Sequence, residues 1–199
     1  SSGKYVYSDI FIGEKQDLRL DARGWDSPGF DASAWESRRP FSSVTPELAP
    51  QQGPLVRRME RLSAKDWWRE GDSIVVDFGQ VIAGRLRLAC HLSRGQEMTI
   101  CHSEVLDATG KFFCNIAGRN KDQVDVFIGR GEDEVLEPDF TFHGFRYVRI
   151  SGWTGAFDPS CATAVVVRAD LHETGRIVTS NERVNQLLSN IEWSQRGNM

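Results

Sequence analysis

The 199-residue sequence lacks the features that mark several classes of protein. No apolar run approaches the roughly 18 residues that a membrane-spanning helix needs. The net charge of −4 and the pI near 5.6 give no basic field of the kind that nucleic-acid and anionic-membrane binders show. The chain also opens without an initiator Met, a basic start or the apolar segment of a signal peptide. We therefore expect neither a nucleic-acid nor a membrane partner, and the compartment stays open.

Cysteine is scarce and scattered, which excludes a disulfide scaffold. The four residues lack the close pairs of a zinc site, and no His, Cys and Asp spacing predicts a metal centre. The sequence has no nucleophile elbow and no glycine-rich phosphate loop either. We expect free thiols, no metal and no cofactor. The four cysteines are Cys90, Cys101, Cys114 and Cys161.

What the sequence does contain is a series of short alternating segments separated by polar turns. Their spacing of about ten residues is typical of an antiparallel β-sandwich. We expect a mainly β fold of the concanavalin-like or jelly-roll type, and we read Gly79–Gly84 as a turn between two strands. The predicted strands are Tyr5–Ile12, Leu55–Leu62, Ile74–Phe78, Arg85–Leu92, Met98–Glu104, Gln123–Ile128 and Cys161–Arg168.

Two segments interrupt this pattern near the N-terminus. Residues 24–35 combine turn residues with Trp25, Phe30 and Trp35, which predicts a compact loop pinned by buried aromatics. A linker then follows, because prolines are spaced along it, and we place a domain boundary near residue 53. The linker prolines are Pro40, Pro46, Pro50 and Pro54.

The densest aromatic run is Phe140–Ile150, with His143, Arg146 and Arg149 among the aromatic residues. Its alternation predicts a β-strand, and Gly144 marks a bulge or a close backbone approach. After Gly144 we expect Phe145, Tyr147 and Arg149 on one face and the residues between them on the other. Two roles are open: a structural strand whose exposed side is covered by arginine stems, or a recognition surface.

The C-terminal segment is the one predicted helix. Thr179 and Glu182 fit a capping box, and an apolar face follows at helical spacing. A single amphipathic helix after a β-domain is typical of the first helix of a further domain. If that domain were absent, we expect the face to be exposed and to attract a partner, such as a second copy of the chain. The apolar face consists of Val184, Leu187, Leu188 and Ile191.

Few residues offer chemistry of their own. The acidic groups Glu132–Glu134 and Glu137 with Asp139 lie beside turns and are expected to be solvated, and His91 and His102 are expected to be structural. Exposed aromatics can stack on sugar faces, and the candidates for this are Trp67, Trp68 and Trp153. Within a sandwich, however, aromatic residues are more often core than platform.

Several stretches in order resemble the front half of bacterial α-L-rhamnosidases, glycoside hydrolase family 78. Each stretch is weakly specific alone, but together they cover nearly the whole chain. They are Tyr7–Ile10 with Gly13-Glu14, Gly24-Trp25, Ser27–Asp31 with Ala34-Trp35, Val76–Gln80 with Gly84, His102–Asp107, Glu137-Pro138 with Phe140–Val148, Asp170-Leu171, Thr174-Gly175 and Trp193–Asn198.

The resemblance implies a layout of three parts. Residues 1–53 would be the tail of an N-terminal β-domain with its linker, residues 54–178 a β-sandwich, and residues 179–199 the first helix of a catalytic (α/α)6 barrel. The family removes terminal α-L-rhamnose with inversion, using two acids that belong to later segments. No catalytic residue is therefore assigned in this chain, and we expect it to be inactive alone.

The resemblance also implies partners. The sandwich would contact the barrel of its own chain, and the candidates for that contact are His143, Arg146, Trp193 and Arg196. The substrates of the parent enzyme would be rhamnosylated small molecules or polysaccharides. An alternative function is a carbohydrate-binding module that holds L-rhamnose through the three tryptophans named above.

Overall fold

The computed structural model describes residues 3–36, 47–116 and 122–199, so Pro40 and Pro46 of the expected linker lie outside the described residues. Ten strands and one α-helix are formed, together with short 3-10 turns at Leu18–Leu20 and Pro159–Cys161. None of the helices in the described ranges is long and apolar enough to span a membrane. The elements are β1 (Tyr5–Asp9), β2 (Gly13–Asp17), β3 (Val56–Ser63), β4 (Asp66–Glu70), β5 (Ser73–Leu92), β6 (Glu97–Ser103), β7 (Val124–Ile128), β8 (Glu132–Leu136), β9 (His143–Ser151), β10 (Ala162–Ala169) and α1 (Glu182–Arg196).

Strand β5 is the spine of the sheet. Its first half pairs with β4 on one edge and with β9 on the other, and its second half pairs with β8 and β10. One layer thus continues from β9 through β6, β7 and β2 to β1, and the other runs from β10 to β3. The single sheet curls into two facing layers, which confirms the predicted mainly β sandwich.

The predicted turn at 79–84 is wrong, because β5 continues through it. The chain bulges between Asp77 and Ile82, where the pairing with β9 shifts register. Gly79 sits in this bulge with φ of +76°, a conformation that favours glycine. At Gly84, a Cβ atom would lie 2.2 Å from the carbonyl oxygen of Val165. The two glycines therefore bend one long strand from the first layer into the second instead of ending it.

The sheet is mixed rather than purely antiparallel. Within the described ranges, β2 pairs in parallel with β7, through Lys15, Gln16 and Asp17, and the other strand pairs are antiparallel. The hairpin of β1 and β2 is thereby hydrogen-bonded into the same sheet as the sandwich. Strands β1 and β2 therefore belong to the same sheet as the strands that follow residue 53.

The main core lies between the two layers, with a smaller cluster outside it. The side chains of Phe145, Val148 and Ile150 all enter the main core, whereas Tyr147 packs with Val75 in the smaller one. The predicted faces are therefore right from Tyr147 onward, where Tyr147 and Arg149 lie opposite Val148 and Ile150. They are wrong for Phe145, which lies on the side of Val148 and Ile150. The expected alternation fails because the register shift between β5 and β9 falls between Phe145 and Tyr147.

Residues 24–35 are less buried than their aromatic content predicts. Trp25 is 61% exposed and Trp35 is 46% exposed. Phe30 packs against Trp35, with the ring centroids 5.4 Å apart, and Trp35 N–H donates to the carbonyl of Ala32 in a single turn. The segment is a loop on the surface that is not pinned to the core by its tryptophans.

Helix α1 begins two residues later than the capping-box pattern indicates. Its N-cap is Asn181, whose side chain accepts hydrogen bonds from Arg183 N–H and Val184 N–H. Thr179 instead bonds to Asn185 and to the backbone of Asn181, which fixes the chain before the helix. The predicted helix is confirmed, and its predicted cap is not.

Candidate functional site

The candidate sugar-stacking tryptophans do not form one platform. Trp67 and Trp153 lie on either side of Phe157, with ring-centroid separations of 5.2 and 5.1 Å in edge-on geometry. Trp153 packs against the main core, and its indole N–H donates to the carbonyl of Ala156. Trp67 is 37% exposed. Trp67 is therefore the more exposed of the two tryptophans, and Trp153 is partly buried.

Trp68 belongs to a different cluster. Its indole N–H donates to Glu70 at 2.8 Å, and its ring packs edge-on against Tyr147. The same carboxylate accepts from the backbone N–H of Phe112, so Glu70 ties the loop at 112 to β4. Both ends of Trp68 are engaged within the chain, which favours a structural role.

Arg146 braces the bend of β5. Its guanidinium donates two hydrogen bonds of 2.8 Å to Asp77, and it lies 4.9 Å from the ring centre of Tyr147. Asp77 also accepts from Gly79 N–H. Burial raises the pKa of Asp77, but the hydrogen bonds from Arg146 and Gly79 outweigh it and hold the pKa below its usual value. About a third of the Arg146 side chain is exposed, so an outer face is open to a further contact.

Trp193 and Arg196 hold α1 against the sandwich. The Trp193 ring packs against the main core, and the Arg196 guanidinium lies over it at 4.9 Å. Arg196 also lies 3.9 Å from Glu60. Beyond the helix, the carbonyl of Met199 accepts from the N–H of Ala169 on β10. The last turn of α1 is thus docked on the chain itself.

The apolar face of α1 is not covered. Val184, Leu187 and Ile191 are 39%, 57% and 54% exposed, and no residue of the helix is fully buried. Between α1 and the bulge of β5 lies a groove of about 440 Å³, which Glu104 and Gly144 line from the sheet and Asn190 from the helix. The helix thus meets the sandwich through Trp193 and keeps most of its apolar face exposed.

His143 is not at a surface, which contradicts its predicted contact with another domain. The side chain is fully buried, and its Nε2 lies 3.0 and 3.1 Å from the two oxygens of Asp125. Burial raises the pKa of Asp125, but the hydrogen bond from His143 outweighs it, so the carboxyl pKa lies below its usual value. The residue belongs to a buried polar cluster inside the sandwich.

His102 completes that cluster. Its ring stacks on His143 with the centroids 4.2 Å apart, and its Nδ1 lies 2.9 Å from the carbonyl of Gln123. Burial first, and the neighbouring His143 second, lower the pKa of His102 to about 3. Its imidazole is therefore neutral at pH 7. Gln123 has φ of +49°, uncommon for a residue other than glycine.

Glu14 connects the cluster to the N-terminal hairpin. Its N–H donates to Asp125, and its carboxylate accepts from the N–H groups of Asp139 and Phe140. Asp139 in turn accepts from Lys4 at 3.0 Å and from the Tyr5 hydroxyl at 2.6 Å. Since Glu14 is wholly buried, these bonds bind β1 and β2 to the segment before β9.

The acidic groups near residue 134 are not simply solvated. Glu132–Glu134 lies on β8, and Glu134 is buried and pairs with Arg130. The Glu137 side chain is only 8% exposed and pairs with Arg58 and Arg87. Glu134 and Glu137 are therefore buried and engaged in ion pairs. The turn pattern in the sequence did not indicate this burial.

Comparison with known proteins agrees with this architecture. The sequence profile of the bacterial alpha-L-rhamnosidase concanavalin-like domain matches residues 69–168, and that of the alpha-L-rhamnosidase N-terminal domain matches residues 1–60. The chain belongs to the bacterial α-L-rhamnosidase family. It is 36% identical over its whole length to an alpha-L-rhamnosidase of Streptomyces avermitilis, and 31% identical to one of Formosa agariphila. The chain spans 19% and 22% of the length of those two relatives.

Solved rhamnosidase structures share the fold. The Streptomyces avermitilis α-L-rhamnosidase, crystallised with L-rhamnose, superposes with a TM-score of 0.93 at 34% identity over the whole chain. The Aspergillus terreus α-L-rhamnosidase gives 0.89 at 35% identity. This chain covers 20% and 23% of those two structures. The likeness concerns a fifth of a rhamnosidase and includes the hairpin, the sandwich and α1.

Sequence reasoning missed two members of the buried cluster. Asp125 is a single acidic residue in an apolar strand, and Glu14 looks like one charge in an alternating segment. The available signal was a single acidic residue among apolar strand positions. Such a residue is rarely buried without partners, so it indicates a buried polar cluster.

Proposed function

We propose that this chain is the non-catalytic scaffold of an α-L-rhamnosidase that removes terminal α-L-rhamnose from glycosides. In this proposal residues 1–53 and 54–178 hold a catalytic domain in place, and residues 179–199 form its first helix. The parent enzyme uses an inverting mechanism whose two acids lie outside this chain. Its substrates are rhamnosylated small molecules or polysaccharides.

The observation that carries the proposal is the uneven docking of α1. Trp193 fixes the end of the helix to the sandwich, while the apolar residues Leu187 and Ile191 stay exposed. A helix that is anchored on one domain and exposes an apolar face to solvent is suited to pack against a second domain. The exposed face of Arg146 is a further candidate for that contact.

The carboxylates support the non-catalytic part of the proposal. An inverting glycosidase needs two carboxyl groups about 6.5–9.5 Å apart across a cleft that holds sugar and water. The buried carboxylates of the described chain are used internally: Asp77 by Arg146, Glu134 by Arg130, and Glu14 by backbone N–H groups. Each of these groups is engaged by a partner within the chain, which supports a structural role for it.

The experiment is an activity assay on the isolated chain. Purified protein is incubated with p-nitrophenyl α-L-rhamnoside, and release of p-nitrophenol is followed. We expect no release of p-nitrophenol above the buffer blank. A cooperative thermal melt of the same sample should show that the chain is folded. Turnover by the isolated chain would contradict the proposal.

A further inference from the structure

Three chemically suitable side chains converge inside the sandwich, and the proposed scaffold role uses none of them. His102 comes from β6, Asp125 from β7 and His143 from β9, which are neighbours in the sheet. One nitrogen of each ring and one carboxylate oxygen lie within 4.8 Å of one another. Each of the three side chains is at most 1% exposed.

His102 is oriented as a ligand would be. Its Nδ1–H donates to the carbonyl of Gln123 at 2.9 Å, which leaves Nε2 with a lone pair. That lone pair faces the Oδ2 of Asp125 at 3.9 Å, and Nε2 has no hydrogen-bond partner among the described residues. Two acceptors thus face each other across a gap. Metal-bound histidines typically donate their other ring N–H to a carbonyl in this way.

The separations are those of two ligands on one ion. Zinc binds imidazole nitrogen at about 2.0–2.1 Å and carboxylate oxygen at about 2.0–2.2 Å. A nitrogen and an oxygen bound to the same ion are thus about 3.4 Å apart at a tetrahedral angle, and about 4.2 Å apart on a straight line. The 3.9 Å between His102 Nε2 and Asp125 Oδ2 lies between these limits, and the 3.1 Å between His143 Nε2 and the same oxygen is slightly short of them.

The charge balance favours a cation as well. Asp125 and Glu14 are both wholly buried and are joined through the N–H of Glu14. In the described part of the chain, no Lys or Arg forms an ion pair with either carboxylate. Buried anions without a cation are costly. A divalent ion beside Asp125 would offset that cost.

We propose that His102 Nε2, Asp125 Oδ2 and His143 Nε2 bind one divalent first-row transition ion of the Zn²⁺ type. Two imidazoles and a carboxylate favour this class over Ca²⁺ or Mg²⁺, which prefer oxygen ligands. Binding moves the His143 proton from Nε2 to Nδ1 or releases it. The site is closed to solvent, so its role is structural: it ties β6, β7 and β9 together, and through Glu14 the hairpin β1–β2.

The test measures zinc on the isolated chain without an affinity tag. The protein is stripped with EDTA, incubated with Zn²⁺ and desalted, and its zinc is determined by mass spectrometry alongside its melting temperature. We expect about one zinc per chain and a higher melting temperature. We also expect Co²⁺ to produce the visible absorption of a low-symmetry site. Zinc well below one per chain with an unchanged melting temperature would overturn the proposal.

Two variants separate this site from adventitious binding. H91A/H172A removes the two other histidines, which are exposed, and should keep the zinc. His102→Asn keeps a donor towards Gln123 but lacks Nε2, and should lose it. Zinc that follows the surface histidines is an adventitious ion only and overturns the proposal. If His102→Asn fails to fold, the Co²⁺ spectrum of H91A/H172A decides: its absence contradicts the site.

Discussion

The guanidinium of Arg146 forms a two-pronged ion pair with Asp77 at 2.8 Å, at the point where β5 bulges and bends into the second layer. Asp77 also holds the N–H of Gly79 within the bulge. The pair thus joins the aromatic strand β9 to the bulge at which β5 bends into the second layer. Its position explains why an arginine lies among apolar neighbours.

Replacing Arg146 by Met should destabilise the fold. The variant keeps an unbranched side chain but removes the guanidinium from the Tyr147 ring and leaves the buried Asp77 without its charged partner. We expect the free energy of unfolding in urea to fall by about 1–3 kcal/mol. Arg57→Met is the matched control, because the Arg57–Asp170 pair is exposed and should change stability by less than about 0.5 kcal/mol. Equal effects in the two variants would contradict the bracing role.

Acid should remove the contribution of this pair. The pKa of Asp77 is lower in the folded chain than in the unfolded chain, where it is near 3.9. The pair therefore stabilises the fold fully above the unfolded pKa, and this stabilisation is lost as the pH falls through the folded pKa. The hydrogen bond from Arg168 likewise lowers the pKa of Glu60. We expect the stability of the chain to fall below about pH 4, and to fall less steeply in Arg146→Met. If the stability of the unmodified chain and of Arg146→Met fell equally with pH, Asp77 would not be a source of the acid sensitivity.

Glu14 should matter more than a surface acid. Its carboxylate accepts from the N–H groups of Asp139 and Phe140, and the amide of Glu14→Gln can accept well from only one of them. We expect a loss of about 1–3 kcal/mol in urea unfolding, the cost of a buried donor left unpaired. Glu36→Gln, at an exposed position, should change little. A loss confined to the control position, or absent from both, would contradict the anchoring of β1–β2.

The exposed face of α1 should cause self-association of the isolated chain. Sedimentation velocity over a range of concentrations should show a dimer forming through Leu187 and Ile191, whose side chains are more than half exposed. L187E/I191E should sediment as a monomer, and Gln186→Glu on the polar side should behave as the parent chain. A strict monomer for the unmodified chain at every concentration would contradict this prediction.

The sandwich is not expected to bind sugar on its own. Trp67 is the more exposed of the two tryptophans beside Phe157, and one exposed aromatic face gives weak binding without polar partners around it. Calorimetric titration with millimolar L-rhamnose should show no heat beyond dilution. Heat that disappears in Trp67→Ala would instead support the carbohydrate-binding alternative.

The sequence predicted elements with a clean local period. Alternation located β6, and helical spacing located α1, because these patterns follow from which face of a single element is buried. The bend of β5 was misread, since Gly79 and Gly84 carry the signature of a turn. Only their contacts with other strands, such as that of Gly84 with Val165, show that they bend one continuous strand.

The candidate site was harder to predict, because its members meet through the sheet and not along the chain. Arg146 and Trp193 were singled out as functional, and their contact with a further domain stays a prediction. His143 was placed at a surface, but its partner Asp125 lies 18 residues away on a strand that is not its neighbour in sequence. Neither the pairing of β6 with both β7 and β9 nor the parallel pairing of β2 leaves a local signal.

The central proposal is that this chain is a scaffold portion of an α-L-rhamnosidase and does not hydrolyse a rhamnoside on its own. The most direct measurement is release of p-nitrophenol from p-nitrophenyl α-L-rhamnoside by the purified chain, with its fold checked by a cooperative melt in the same buffer. The account predicts a cooperative melt and no release above the blank at any chain concentration. Release that rises in proportion to the concentration of the folded chain would contradict it.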